Sequence, residues 1–290
     1  MLAGAIALSP GALAQERAAP TADPVLNLLV NVARVFDQMG IPLDWDDDRL
    51  LSLLYESNEL DDPETSLAFR TSRGHALPFY VLDPPGRARC EPGAEEPRST
   101  VLFVGGIHPN EVSPLYSSWR ELMSLLAGGG SPYANTRIVY VPLANPDGLI
   151  DSHDRGGAPT RESAAGVDLN RDFRSPSAQP ETRFLAELIR VYHPTHIVSL
   201  HGPFGWLDYD GPPPSQAGRS WMRRVHSRAP GLGIASGFRT YPGSLGEYAG
   251  ERLGIPVLTF EYPSKSAGTA VRDWLHYGDA LSESLRVSED

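Results

Sequence analysis

Four short apolar runs, Val101–Val104, Ile138–Leu143, His196–Leu200 and Pro256–Phe260, constrain the fold of this chain more than anything else in it. They are rich in β-branched residues and bounded by Gly, Pro or Asn. Apolarity that is continuous rather than alternating marks strands buried on both faces. Between and after these runs, apolar residues recur at helical spacing near 114–127, 181–192, 218–228, 245–253 and 269–286. In the second of these segments Phe184, Leu185, Leu188, Ile189 and Tyr192 form one stripe, which Pro194 ends. Buried strands alternating with amphipathic helices predict an α/β fold, a sheet sandwiched between helices. In such folds the chemistry lies just past the carboxyl ends of the strands.

The N-terminal third reads differently. Residues 1–14, MLAGAIALSPGALA, carry no charge and end in Ala12-Leu13-Ala14 before Gln15, the small-x-small pattern of a signal-peptidase site, although the usual basic start is missing. They are expected to be a signal peptide, which makes the protein exported and periplasmic; without a functional leader it is cytoplasmic. Asp23 and Pro24 read as a helix start, Val25, Leu28, Leu29, Val32, Val35, Phe36 and Met39 as its apolar face, and Gly40 as its stop. A second helical candidate spans Leu50–Tyr55 in an acidic stretch, and residues 84–99 read as a surface loop. The expected organisation is a leader (1–14), a helical lead-in (15–75) and a main domain (76–290). No uninterrupted apolar stretch approaches the roughly 18 residues of a membrane span. With 25 Lys+Arg against 36 Asp+Glu the net charge is −11, which disfavours nucleic acid as a partner. The single Cys90 forms no intrachain disulfide.

Three strand ends carry candidate chemistry. Val101–Val104 runs into His108-Pro109-Asn110-Glu111, His196–Leu200 into His201, and Pro256–Phe260 into Glu261. A catalytic zinc takes three protein ligands from His and carboxylate and keeps a fourth position open. His108, Glu111 and His201 supply that set and leave Glu261 as a base. An HxxE spacing alone is weak, and a loop histidine beside a solvated glutamate is the commoner meaning of it. Glu261 is more telling, because a carboxylate directly after Val257-Leu258-Thr259-Phe260 needs a compensating cation or hydrogen bonds.

The ordered motifs HPNE, NPDG, GVDLNR, SLH and TFE, spanning roughly residues 101–263, resemble the zinc metallocarboxypeptidase family, the carboxypeptidase A-like enzymes, and within it the bacterial murein peptide amidase A type. The resemblance implies a mixed, mostly parallel β-sheet between helices and one zinc ion held by His108, Glu111 and His201. It implies Glu261 as general base and acid, Asp168 as the acid orienting His108, and Asn170 and Arg171 as the grip on a terminal carboxylate. Arg161 matches the arginine that polarises the scissile carbonyl, with Arg155 as the alternative. Tyr241, just before the turn Pro242–Gly246, matches a substrate-covering tyrosine. Trp206–Pro212 reads as an enlarged loop whose Asp208 and Asp210 receive a cationic group such as the second amine of diaminopimelate; the plainer reading is that they face water. The implied substrate is a peptide or muropeptide. A general exported carboxypeptidase, a non-catalytic peptide- or wall-binding protein and a small-molecule deacylase are the alternatives. Ser163 and Asp172 depart from the amidase pattern, where Asn is usual at both positions.

Overall fold

A computed structural model describes residues 24–41, 69–84, 97–175, 177–213, 216–235 and 240–287. The expected leader and the candidate helix Leu50–Tyr55 lie outside the described residues, as does most of the expected loop at 84–99. Among the described residues no helix is long and apolar enough to cross a membrane.

In chain order the elements are α1 (Pro24–Gln38), β1 (Tyr80–Leu82), β2 (Ser99–Val104), α2 (Val112–Ala127), β3 (Thr136–Val141), α3 (Pro146–Asp154), α4 (Pro180–Tyr192), β4 (His196–His201), β5 (Trp206–Asp210), α5 (Gln216–Arg228), β6 (Gly233–Ile234), β7 (Val257–Glu261) and α6 (Ala270–Ser284). The seven strands form one mixed sheet in the order β1-β3-β2-β4-β7-β5-β6. Its centre, β3-β2-β4-β7, is parallel, and β1 and β5 pair antiparallel to β3 and β7. The four apolar runs are these central strands, and nearly all of their residues are buried, as strands covered on both faces must be.

Topology assigns the helical layers. The chain moves from β2 to β3 in one direction across the sheet and from β3 to β4 in the other. Right-handed crossovers then put α2 on one face and the α3–α4 connection on the opposite face. α6 packs along both α2 and α5, so it shares the α2 face. The helix expected from Pro24 is α1, which buries Leu28, Leu29, Val32 and Val35 and packs on α3.

Two local expectations are corrected, and one element is added. Trp206–Asp210 is not a loop: it is strand β5, in register with β7 so that Trp206 faces Glu261 and Asp208 faces Thr259. Its alternation of polar and apolar residues is masked by two aspartates and the Gly-Pro-Pro-Pro that follows. Residues expected as an α-helix at 245–253 form a π-helix over Gly246–Arg252. A Cβ on Gly246 would stand 2.0 Å from Asp210 Oδ2, and one on Gly250 would stand 2.8 Å from the Asp210 backbone, so this segment runs directly against β5. The NPDG segment, which the apolar pattern did not mark, starts helix α3: Asn145 caps it by accepting from Gly148 N at 3.0 Å, with Pro146 at the first position.

Candidate metal centre

His108 and Glu111 follow β2, and His201 ends its neighbour β4. Their side chains are buried and converge. His108 Nδ1 lies 3.1 Å from Glu111 Oε1 and 3.2 Å from His201 Nδ1, and His201 Nδ1 lies 3.1 Å from Glu111 Oε2. On its far side His108 Nε2 meets Asp168 Oδ1 at 2.9 Å. With Nε2 donating to Asp168, Nδ1 presents a lone pair. Two imidazole nitrogens and a carboxylate therefore converge on one spot, which is an arrangement a cation satisfies. Four tetrahedral donors about 2.0–2.1 Å from a zinc ion stand roughly 3.3–3.4 Å apart, close to the separations here. The His/His/Glu donor set and its spacing fit zinc.

The charges are mutually arranged. Burial opposes ionisation of Glu111, but His201 and His108 hold its carboxyl down at about 2. Burial also weighs against protonated His108, and Asp168 and Glu111 outweigh it, raising the ring above its ordinary value. Asp168, partly desolvated, is held well below the usual carboxylate range by His108 and Arg161.

Glu261 ends β7 beside His201, with which it is in register. Burial pushes its carboxyl up to about 7; the charge of Glu111 adds to this and His201 opposes it. Its Oε2 is buried and meets no donor among the described residues. Because strand residues alternate faces, Glu261 and Thr259 of β7 share one side with Asp208 and Asp210 of β5, and all four line the same cleft of ≈330 Å³. Burial raises Asp208 above its ordinary value, and burial together with Asp208 and Glu251 pushes Asp210 up to about 7. The two acids thus lie on the cleft floor, where they have lost solvent.

The opposite bank is built from the segment between α3 and α4. Arg161 Nε donates to Asp168 at 3.1 Å and its Nη1 to Glu111 at 3.2 Å, so this arginine reaches the metal-ligand cluster. Arg155 is the exposed C-cap of α3 and does not line the cleft. Asn170 and Arg171 sit on a 3-10 turn that Asp168 caps. Leu245 N donates to Asn170 Oδ1 at 2.9 Å, and the Arg171 guanidinium stacks over Tyr241 at 4.3 Å from the ring centroid. The turn carrying Tyr241 is fastened to the Asn170–Arg171 segment: Phe173 N donates to Gly243 O at 3.0 Å, and Glu247 accepts from Gly243 N at 2.6 Å while pairing with Arg174. Gly243 has φ +79°, and a Cβ there would stand 2.3 Å from Arg171 O, so only glycine allows this close approach.

All the sequence-derived candidates except Asp168 and the alternative Arg155 line this one cleft, and Asp168 bridges His108 and Arg161 behind it. Two participants were not picked out from sequence. Asn145 Nδ2 reaches Ile107 O at 3.4 Å and Glu162 O at 3.2 Å, tying the residue before His108 to the residue after Arg161. Lys265 also lines the cleft. The NPDG motif pointed to Asn145 without a role, and Lys265 stood out only by being the one lysine of the chain.

Residues 70–207 match the zinc carboxypeptidase family. Human carboxypeptidase D is 31% identical over 147 residues, covering 48% of this chain and 10% of its own length; the duck (Anas platyrhynchos) carboxypeptidase D is 32% identical over 119 residues, 34% of this chain and 8% of its own. The chain therefore spans about a tenth of the length of the curated relatives it matches. The fold is similar to that of the murein-tripeptide amidase of Escherichia coli O157, with a TM-score of 0.52, 24% identity and coverage of 77% of this chain and 92% of that one. It is also similar to a Burkholderia cenocepacia metallo-carboxypeptidase, with a TM-score of 0.58, 19% identity and coverage of 83% and 68%.

Proposed function

We propose that this chain, whose residues 70–207 match the zinc carboxypeptidase family, hydrolyses the peptide or amide bond preceding a residue with a free carboxylate. One observation carries this reading: His108, Glu111 and His201 converge within hydrogen-bond distance of each other, with Glu261 in register beside His201 in the same cleft. A zinc ion held by those three would supply Lewis acidity toward the scissile carbonyl and lower the pKa of water at the site.

Every other part of the reaction falls to side chains. Glu261, pushed by burial to about 7, takes a proton from the attacking water near neutral pH and returns it to the leaving amine. Arg161 stabilises the oxyanion as it develops. Asp168 fixes the orientation of His108. Arg171 offers a planar fork to the terminal carboxylate, Asn170 adds its amide, and Tyr241 closes over them. These interactions orient the substrate so that only the bond before the carboxylate residue reaches the reacting centre.

For the substrate we propose a murein-derived peptide whose leaving residue ends in a cation, such as diaminopimelate. Support comes from the acidic floor, where Asp208 and Asp210 are partly desolvated and regain a counter-charge when an amine enters. The amidase described above is named for its action on a murein tripeptide, which accords with this. We also propose that residues 1–14 are removed on export to the periplasm and that residues 15–75 form a lead-in to a catalytic domain over 76–290.

The test is a panel of muropeptides and ordinary peptides, incubated with chelator-treated and zinc-restored protein, with products identified by mass. Zinc-restored protein should release a carboxylate-bearing residue, and a substrate amidated at that carboxylate should resist. Asp208→Asn with Asp210→Asn should lose the preference for a diaminopimelate leaving residue over alanine. Turnover that survives complete zinc removal sinks the peptidase reading; an unchanged leaving-residue preference in the double variant sinks the cationic subsite alone.

A further inference from the structure

The cleft holds one cation that the proposed reaction does not use. Lys265 is the only lysine in a chain whose Lys+Arg total is 25. It is exposed and lines the cleft, and no hydrogen bond or ion pair among the described residues engages its ammonium. Its main chain is firmly placed. Val112 N, the residue after Glu111, donates to Lys265 O at 3.0 Å, and Ser264 O lies 3.2 Å from where a Cβ on Gly202 would stand.

Topology puts this cation on the bank facing the carboxylate grip. Lys265 lies on the path from β7 to α6, which packs against α2, and is bonded to the first residue of α2. Arg161, Asn170 and Arg171 come from the connection between α3 and α4, on the other face of the sheet. The metal ligands and Glu261 issue from strand ends between these two layers. A substrate with its carboxylate at Arg171 and its scissile carbonyl at the centre leaves its acyl portion to the rest of the cleft, which Lys265 lines.

We propose that Lys265 is a specificity residue that binds a carboxylate borne by the acyl residue of the substrate; this rests on the peptidase reading of the cleft. The chemistry supports an acidic acyl group. With Arg161 and Arg171 assigned to the scissile carbonyl and the terminal carboxylate, Lys265 is the remaining cation lining the cleft that can offset a second carboxylate against Asp208 and Asp210 in a protein of net charge −11. An ammonium on a flexible stem is a point charge with three rotatable donors, so it follows a carboxylate whose position varies with linkage, where a guanidinium fork would demand one orientation.

The experiment uses matched peptides that differ only in charge at the acyl residue: glutamyl against glutaminyl, and a γ-linked glutamyl against the same residue with its α-carboxylate amidated. Binding to the zinc-loaded protein is read by calorimetry and turnover by product mass. The wild-type protein should bind and cleave the acids at least about tenfold better than the amides. Lys265→Met should erase that preference while leaving the amides unchanged, and Lys265→Arg should restore part of it. Equal treatment of acid and amide by the wild type, or an equal loss on both in Lys265→Met, overturns the proposal. Preferential binding of the acids without turnover of any peptide keeps the Lys265 assignment and overturns the peptidase reading, and turnover without charge preference does the reverse.

Discussion

The two ends of the cleft are made of different material. The metal end is carried by strand termini: His201 and Glu261 are in β-register on adjacent strands, and His108 and Glu111 follow a third strand of the same parallel core. Its ligands are nearly solvent-free, with side-chain exposures of 2% for His108, 5% for Glu111 and 4% for His201. The grip end is coil. Asn170 and Arg171 sit on a 3-10 turn, Tyr241 is 54% exposed, and their geometry depends on links between two loops, Leu245 to Asn170, Phe173 to Gly243 and Glu247 to Gly243 and Arg174. On the proposed reading, the metal-site residues and the base, which must hold position within a fraction of an ångström, are carried by the strand ends, while the groups that grip substrate, and Arg161 with them, sit on the connecting segments.

This contrast predicts that damage at the two ends shows in different constants. Glu261→Gln should lower kcat by roughly 10²–10⁴-fold with little change in KM, in steady-state kinetics on zinc-loaded protein that retains its thermal midpoint. A comparable rise in KM would mean the strand end also serves binding, and the contrast would fail.

A site remote from both ends provides the control. Glu121 on α2 is buried against α6, where the Ser282 hydroxyl donates to it at 2.9 Å, and burial pushes its carboxyl up to about 7 from an ordinary 4.5. The folded state therefore holds this proton more tightly than the unfolded chain does. Its contribution to stability is complete below about pH 4.5 and is lost as pH rises toward 7. Glu121→Gln should leave kcat and KM unchanged and stabilise the protein above pH 7 by up to about 3 kcal/mol, measured by denaturant unfolding across pH. A stability gain that is the same at pH 4 as at pH 8 would exclude this linkage.

The smallest effect is expected at the latch of the grip. Glu247→Gln keeps an acceptor for Gly243 N but loses the pairing with Arg174, and should raise KM by roughly three- to tenfold at nearly constant kcat. If kcat falls and KM does not, the loop end is part of the chemical step.

The same contrast governs what could be read from the amino-acid sequence. Central strands announce themselves by continuous apolarity, and polar residues that interrupt it at a strand end stand out against that background; His108, Glu111, His201 and Glu261 were visible for this reason. Asp168, Asn170, Arg171 and Arg161 have no such backdrop, and a family resemblance was needed to single them out. What stayed hidden depends on distant pairings. β5 resembles a loop until β7 lies beside it, and the π-helix at Gly246–Arg252 runs against Asp210, 36 residues earlier in the chain. The role of Asn145 is equally invisible locally, because its amide joins the neighbours of two residues that are themselves far apart.

Gly246 bears on how preference can change over generations. The Asp210 carboxyl occupies the volume that any side chain at 246 would claim. A single added methyl would therefore force the Asp210 side chain to shift from its present place in the cleft. On the proposed reading of Asp208 and Asp210 as a cation subsite, one codon change at Gly246 would weaken the preference for a cationic residue without altering either aspartate or any metal-site residue.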